Sequence, residues 1–226
     1  MMQKYFITAT GTNIGKTLVT CALAAQLLAQ GKMLKALKPV ISGFDMVSLE
    51  QTDSGQLLLA QGVPLTSAAL DAISPWRLKA ALSPDMAGEE EGVSLALPEI
   101  VRFCESQSGV DYLLVEGIGG VMVPLNDTKT TLDWMAALGY HVILVTGSYL
   151  GAISHTLSAC AALTAHGLAP HAIIISESEE SPVPCARLKT TLRRFLPEAI
   201  RIHTIPRLDS SPDLWKYVPT LTQILA

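Results

Sequence analysis

The stretch ATGTNIGKT, Ala9–Thr17, decides how the rest of this chain is read. Before it runs YFITAT, Tyr5–Thr10, a short apolar segment rich in β-formers, which predicts a buried strand. After it runs KTLVTCALAAQLLAQG, with Ala and Leu at helical spacing and Gly31 as a stop. The quoted stretch is therefore a strand-to-helix turn. Its ending, Gly15-Lys16-Thr17, is the chemistry a phosphate site asks for at such a turn. Backbone N–H groups and the positive end of the helix dipole face an anion there. Lys16 adds a cation and the Thr17 hydroxyl is placed for magnesium. The usual phosphate loop carries glycine five residues before Gly15, and that slot holds Thr10, flanked by Ala9 and Gly11.

Outward from the turn, strands and helices alternate. MLKALKPV, Met33–Val40, reads as the next strand, ended by Pro39, and TDSGQLLLAQG, Thr52–Gly62, as a helix. Between Asp45 and Gly92 the rest has scattered Pro and Gly and reads as loop and short helix. Helix is expected over Ser94–Gln107, with Pro98 near its start, and strand over Asp111–Gly117. Then come a helix in TLDWMAALG, strand His141–Gly147, a helix in AISHTLSACAALTAHG and strand Pro170–Ser176. A helix in CARLKTTLRRFL, strand Ala199–Pro206 and a final helix in PDLWKYVPTLTQIL, kinked or split by Pro219, complete the chain. Such alternation implies right-handed crossovers and one α/β domain over residues 1–226, a mainly parallel sheet with helices on both faces. Its ligand belongs beyond the carboxyl ends of the strands.

Composition narrows the class. Hydrophobic residues make up 49% of the 226 and charged residues 16%, which excludes disorder. No apolar run reaches the roughly 18 residues of a membrane span, and the start of the chain lacks a signal-peptide pattern. A soluble, cytoplasmic protein is expected. A net charge of −4 without a basic stripe argues against nucleic acid. LRRF, Leu192–Phe195, reads as a solvated helix face, and Glu89–Glu91 as a solvated loop or helix start. Cys21, Cys104, Cys160 and Cys185 form no C-x-x-C and are taken as reduced, with Cys21 and Cys160 in the core. The histidines lack metal-ligand spacing.

Further residues at the predicted strand ends could carry chemistry. Lys38 is either a surface residue extending its amine to solvent or a cation for phosphoryl transfer. Ser42 and Gly43 follow in a turn that offers donors to a substrate. Glu116 ends the third apolar strand, where an acid commonly holds magnesium, and Gly117, Gly119 and Gly120 let backbone approach a ligand. Asp53 is a third metal partner or a helix N-cap. GSYLGAISHTL, Gly147–Leu157, is either an anion site at a helix start or a turn capped by Ser154, and His155 reads as a capping or packing residue.

Together these pieces resemble the dethiobiotin synthetase family. That family carries G-T-D-T-x-V-G-K-T, aligned with Ala9–Thr17, and its loop is one residue longer than the usual one, which accounts for the spacing. Its YKPVxSG, VEGAGG and LGxINH are similar to Leu37–Gly43, Val115–Gly120 and Leu150–His155, and its DW matches Asp133-Trp134. The resemblance runs from Tyr5 to about Leu225. It implies magnesium- and ATP-dependent carboxylation and ring closure of 7,8-diaminononanoate with carbon dioxide or bicarbonate, in biotin biosynthesis. A carbamate and a carbamic-phosphoric anhydride are the implied intermediates.

The resemblance also implies roles. Lys16 and Lys38 are catalytic, and Thr17, Asp53 and Glu116 hold magnesium. Asn13, Ile14, Gly15, Leu18, Gly117, Ile118 and Gly119 join them around the nucleotide. Ser176 and Glu177, with Pro206, Arg207, Leu208 and Asp213, line the base pocket. Thr12, Ser42, Gly151 and Ser154 face the diamine, with a homodimer completing the site. Ser176 stands where many relatives have the Asn that reads adenine, so other nucleoside triphosphates are open as co-substrates. The loop departs from the family at Ala9, Gly11 and Asn13. A partitioning-type ATPase switch, the main rival, usually has a lysine at the position of Gly11. A related ligase on the same scaffold is a further alternative.

Overall fold

The computed structural model describes residues 2–209, 211 and 213–225. In chain order its elements are β1 (Gln3–Ala9), α1 (Lys16–Ala29), β2 (Leu34–Leu37), β3 (Val40–Ile41), α2 (Asp53–Ala60) and α3 (Ser67–Ile73). They continue with β4 (Trp76–Arg77), α4 (Pro84–Glu91), α5 (Leu97–Glu105), β5 (Tyr112–Glu116), α6 (Thr131–Leu138) and β6 (His141–Thr146). Last come α7 (Ala152–Ala165), β7 (Ala172–Ser176), α8 (Cys185–Arg193) and β8 (Arg201–Ile205).

Six strands form one sheet in the order β2-β5-β1-β6-β7-β8, and every pairing in it is parallel. Consecutive residues of β1, β5, β6 and β7 are buried, so both faces of the sheet are covered, as a parallel sheet requires. The expected α/β architecture, a mainly parallel sheet with helices on both faces, holds. From β1 the chain crosses to β2 on one side, and from β5 to β6 on the other. The carboxyl end of β1 is thus the switch point, where open α/β sheets bind ligands.

The structure corrects several element boundaries. The expected strand Met33–Val40 is broken at Lys38-Pro39. Pro39 has no N–H for the ladder, so the chain leaves the main sheet there and β3 pairs with β4 in a separate two-stranded sheet. The final helix is instead two 3-10 turns, Leu214–Tyr217 and Thr222–Leu225 (Pro212, its expected start, lies outside the described residues). Gln26 of α1 takes up the backbone freed between them, donating to the Val218 and Pro219 carbonyls and accepting from Leu221 N–H at 2.7 Å. Glu89–Glu91 ends α4 rather than starting a helix, and Glu91 accepts from the N–H groups of Lys79 and Ala80 at 2.6 and 3.0 Å. Cys21, Cys104 and Cys160 are buried, Cys185 is half-buried, and none forms a disulfide.

Candidate active site

Strand order builds the site. β2, β5 and β1 are neighbours, so the segments leaving their carboxyl ends converge. Leu37 of β2 is level with Val115 of β5, which sets Lys38 beside Glu116; Ile7 of β1 is level with Glu116. The loop leaving β1 then runs over both.

That loop carries two residues with left-handed backbone. Asn13 has φ 56°, and Gly15, the residue before α1, has φ 104°. A side chain is strained in the left-handed region, and at Gly15 a Cβ would also sit 2.9 Å from Ser176 Oγ. Gly15 thus answers to conformation and to the end of β7 together. Lys16 opens α1 and is nearly buried; its Nζ donates to the Gly11 carbonyl at 3.1 Å. Burial, then the nearby charge of Lys38, lowers its pKa to about 8, against the pull of Glu116 and Asp53.

Lys38 is 1% exposed, which removes the reading of a surface lysine. Its amine donates to Glu116 Oε1 at 2.7 Å and to the Gly117 carbonyl at 2.9 Å, and it pairs with Asp53 Oδ2 at 3.1 Å. Burial alone would lower its pKa, but the charges of Asp53 and Glu116 more than reverse that and hold it above the ordinary lysine range. In turn Lys38 holds the Asp53 carboxyl below its ordinary value. Thr17 Oγ1 donates to the same Glu116 oxygen at 2.8 Å, while Glu116 Oε2 is buried with no hydrogen-bond partner.

Asp53 is not the helix cap. That role falls to Thr52, whose side chain accepts from Gly55 N–H and leaves the Asp53 carboxylate to Lys38. Ser154 is no cap either. Gly151 holds that position at α7 with φ 100°, and Ser154 is exposed within the helix. His155 Nδ1 meets Tyr149 OH at 2.9 Å.

A cleft of about 530 Å³ opens over these groups. It brings together Thr12, Asn13, Gly15, Lys16, Thr17, Lys38, Ser42, Asp53, Ile118 and Gly119, all expected at the site from the sequence. It also exposes Ile41, Gln51 and Thr52, which sequence reasoning missed as site residues; only the T-D-S helix start hinted at Thr52. Ile14 and Leu18 are partly buried against the core, Glu116 lies beneath Lys38, and Gly117 joins the site through its carbonyl.

The expected base-pocket residues lie outside this cleft. Ser176 ends β7 against Gly15, and Glu177 accepts from Arg207 N–H at 2.9 Å, which ties the β7 and β8 ends together. Pro206 and Arg207 are exposed, Leu208 packs against the core, and Asp213 pairs with Lys216. Gly151 and Ser154 also lie outside the cleft. A second, mainly apolar groove of about 470 Å³ shares Thr12 with it and runs past Met122, Val123 and Pro124 to His155.

Sheet order, glycine-rich loop and strand-end lysine and acids define a P-loop NTPase-like nucleotide enzyme. A family model described as an AAA domain matches residues 3–216. The ATP-dependent dethiobiotin synthetase BioD of Acidiphilium cryptum is 43% identical over 198 residues, 86% of this chain and 89% of that protein. The protein of that name from Phenylobacterium zucineum is 42% identical over 209 residues, 91% and 89% of the two chains. The chain belongs to the dethiobiotin synthetase family. Among solved structures, septum site-determining protein MinD of Pyrococcus horikoshii, complexed with Mg-ADP, matches at a TM-score of 0.54 and 19% identity. That match covers 91% of this chain and 82% of the other, and it is a likeness of fold alone.

Proposed function

We propose that this chain is an ATP-dependent dethiobiotin synthetase of biotin biosynthesis. It would carboxylate 7,8-diaminononanoate and close the ureido ring. One amine of the diamine adds to carbon dioxide and loses a proton, giving a carbamate. A carbamate oxygen attacks the γ-phosphorus of the nucleotide, the bond to the β-phosphate oxygen breaks, and a carbamic-phosphoric anhydride forms. The second amine attacks the carbamoyl carbon, loses its proton, and expels phosphate as the ring closes.

The observation that carries this reading is Lys38. A lysine kept protonated by Glu116 and Asp53 at the floor of the loop's cleft can meet the negative charge that builds on carbamate and phosphoryl oxygens. Lys16 and the N–H groups around Gly15 cradle the phosphates. Ser42 and Thr12, which face the same cleft, hold the diamine. The groove beside Thr12 suits its apolar chain.

Magnesium fits the residues present. Glu116 Oε2 is buried and unpartnered, next to the Thr17 hydroxyl and the Asp53–Lys38 pair, an all-oxygen donor set of the kind this hard cation takes with substrate phosphates. Thr17, Asp53 and Glu116 would hold it, and when bound it supplies charge neutralisation at the β- and γ-phosphates. Lys38 would then trade a carboxylate contact for the reacting oxygens.

Ser176, Glu177, Pro206, Arg207, Leu208 and Asp213 are proposed to receive the base. The short Ser176 lacks the two-point contact of an amide, which favours relaxed choice among nucleoside triphosphates. Leu150, 89% exposed on the turn before Gly151, supports a homodimer in which that turn and Ser154 complete the neighbouring copy's diamine site. No helix among the described residues is long and apolar enough to cross a membrane, which agrees with a cytoplasmic enzyme.

Isotope transfer tests the anhydride. With ¹⁸O-labelled bicarbonate, the carbamate oxygen that attacks phosphorus leaves with the phosphate. Labelled phosphate is expected from turnover in unlabelled water. Phosphate without label would exclude this route.

A further inference from the structure

The end of α3 and the segment after it brace the Lys38–Gly43 strip. Lys38 N–H donates to the Ile73 carbonyl at 3.1 Å, Trp76 N–H to the Pro39 carbonyl at 3.1 Å, and Leu78 N–H to the Ile41 carbonyl at 2.8 Å. Within that brace sits Ser74, 0% exposed, whose Oγ donates to the Lys38 carbonyl at 2.5 Å. Ser54, also 0% exposed, lies 2.6 Å from Ser74 Oγ. A hydroxyl has one proton to give. Ser74 spends it on Lys38, so Ser54 donates to Ser74. Ser54 immediately follows Asp53 in the first turn of α2. The two hydroxyls therefore run from the Asp53 helix start to the Lys38 backbone, in parallel with the Lys38–Asp53 ion pair.

We infer that Ser74 and Ser54 are positioning residues for the reaction: their hydroxyl chain fixes the spacing between Lys38 and Asp53. This rests on the role proposed for Lys38. The physical reason is β2's early end. The ladder to β5 ends at Leu37, so nothing in the main sheet holds the Lys38 carbonyl. Buried backbone carbonyls need a donor, and Ser74 supplies it from the end of α3, which does not itself line the cleft. Neither serine lines the cleft, so their loss reaches it only through Lys38 and Asp53.

The test compares full-length Ser74→Ala, Ser54→Ala, the double variant, Lys38→Ala and the unsubstituted protein in diamine-dependent phosphate release. Ser74→Ala is expected to lower kcat by about 10- to 100-fold, the scale of a small misplacement of a catalytic group, with nucleotide affinity in the absence of magnesium unchanged. Ser54→Ala should cost less, because the Ser74–Lys38 bond remains. The double variant should be no slower than Ser74→Ala, since Ser54 acts only through Ser74. Two independent packing losses would instead add in unfolding free energy and leave kcat per folded molecule unchanged. If Ser74→Ala folds poorly, Ser54→Ala still reads the chain. Full kcat in both serine variants, with Lys38→Ala inactive, overturns this inference alone. An unsubstituted protein without diamine-dependent release, or an active Lys38→Ala, overturns the functional reading and this inference with it.

Discussion

Lys38 Nζ lies 2.7 Å from Glu116 Oε1, with both side chains withdrawn from water. The register of β2 against β5 puts them side by side, and Asp53 closes the group from α2. A buried ion pair is a poor source of stability, because desolvation roughly cancels the attraction. What this arrangement does secure is a lysine that stays charged inside the protein. It also leaves one Glu116 oxygen without a partner, the atom proposed to take the metal.

Lys38→Ala is therefore expected to abolish diamine-dependent turnover while nucleotide still binds. Glu116 would be left buried and uncompensated, a loss of about 3–5 kcal/mol in denaturant unfolding without metal. Millimolar magnesium should recover more of that loss in the variant than it adds to the unsubstituted protein. Unchanged turnover would remove Lys38 from the reaction.

Gly15→Ala should lose nucleotide binding, measured by titration calorimetry. Its φ of 104° strains any side chain, and Ser176 Oγ would be 2.9 Å from the new Cβ. Adding Ser176→Gly relieves the crowding but not the strain, so binding should stay weak. Full recovery in the pair would mean that crowding alone demands the glycine.

The lowered pKa of Lys16, about 8, makes binding pH-dependent. In the proposed site the charged form of Lys16 holds the phosphates. Below pH about 8 the lysine already carries its proton; above it, nucleotide affinity falls as pH rises, and binding takes up a proton. Calorimetry at pH 9 in two buffers of different ionisation heat should show that uptake. For folding the sign is opposite. Between about 8 and the ordinary 10.5 the unfolded chain binds more protons here, so this residue's contribution to stability rises with pH. Equal binding heats in the two buffers at pH 9 would place the Lys16 pKa elsewhere.

Thr52→Ala removes the cap of α2, whose hydroxyl accepts from Gly55 N–H at 3.0 Å. Stability should drop by about 1 kcal/mol in chemical denaturation. Turnover should fall too, because the cap sets the first turn that carries Asp53. Unaltered stability would make the cap bond incidental.

The sheet was legible because parallel strands buried on both faces leave long apolar runs, such as the one ending in Glu116. The phosphate loop was legible because its glycine and lysine answer to local geometry. Lys38 could be placed at a strand end, but its burial could not, since that depends on Asp53 and Glu116 arriving from elsewhere in the chain. Ser74 gave no signal: an isolated serine before proline reads as a turn, and only tertiary pairing sets it on the Lys38 carbonyl. Thr52 and Asp53 divided the two jobs offered to Asp53, because the side chain nearer the helix start reaches the Gly55 N–H. The terminal helix failed at Pro219, where Gln26 meets the backbone in place of helical bonds.

The most direct test is phosphate release by the purified protein with magnesium, bicarbonate and 7,8-diaminononanoate, with ATP, CTP and GTP in parallel. The account predicts release that requires the diamine, dethiobiotin among the products, and activity not confined to ATP. Release that proceeds equally without the diamine, and yields no dethiobiotin, would contradict it and point to an ATPase switch.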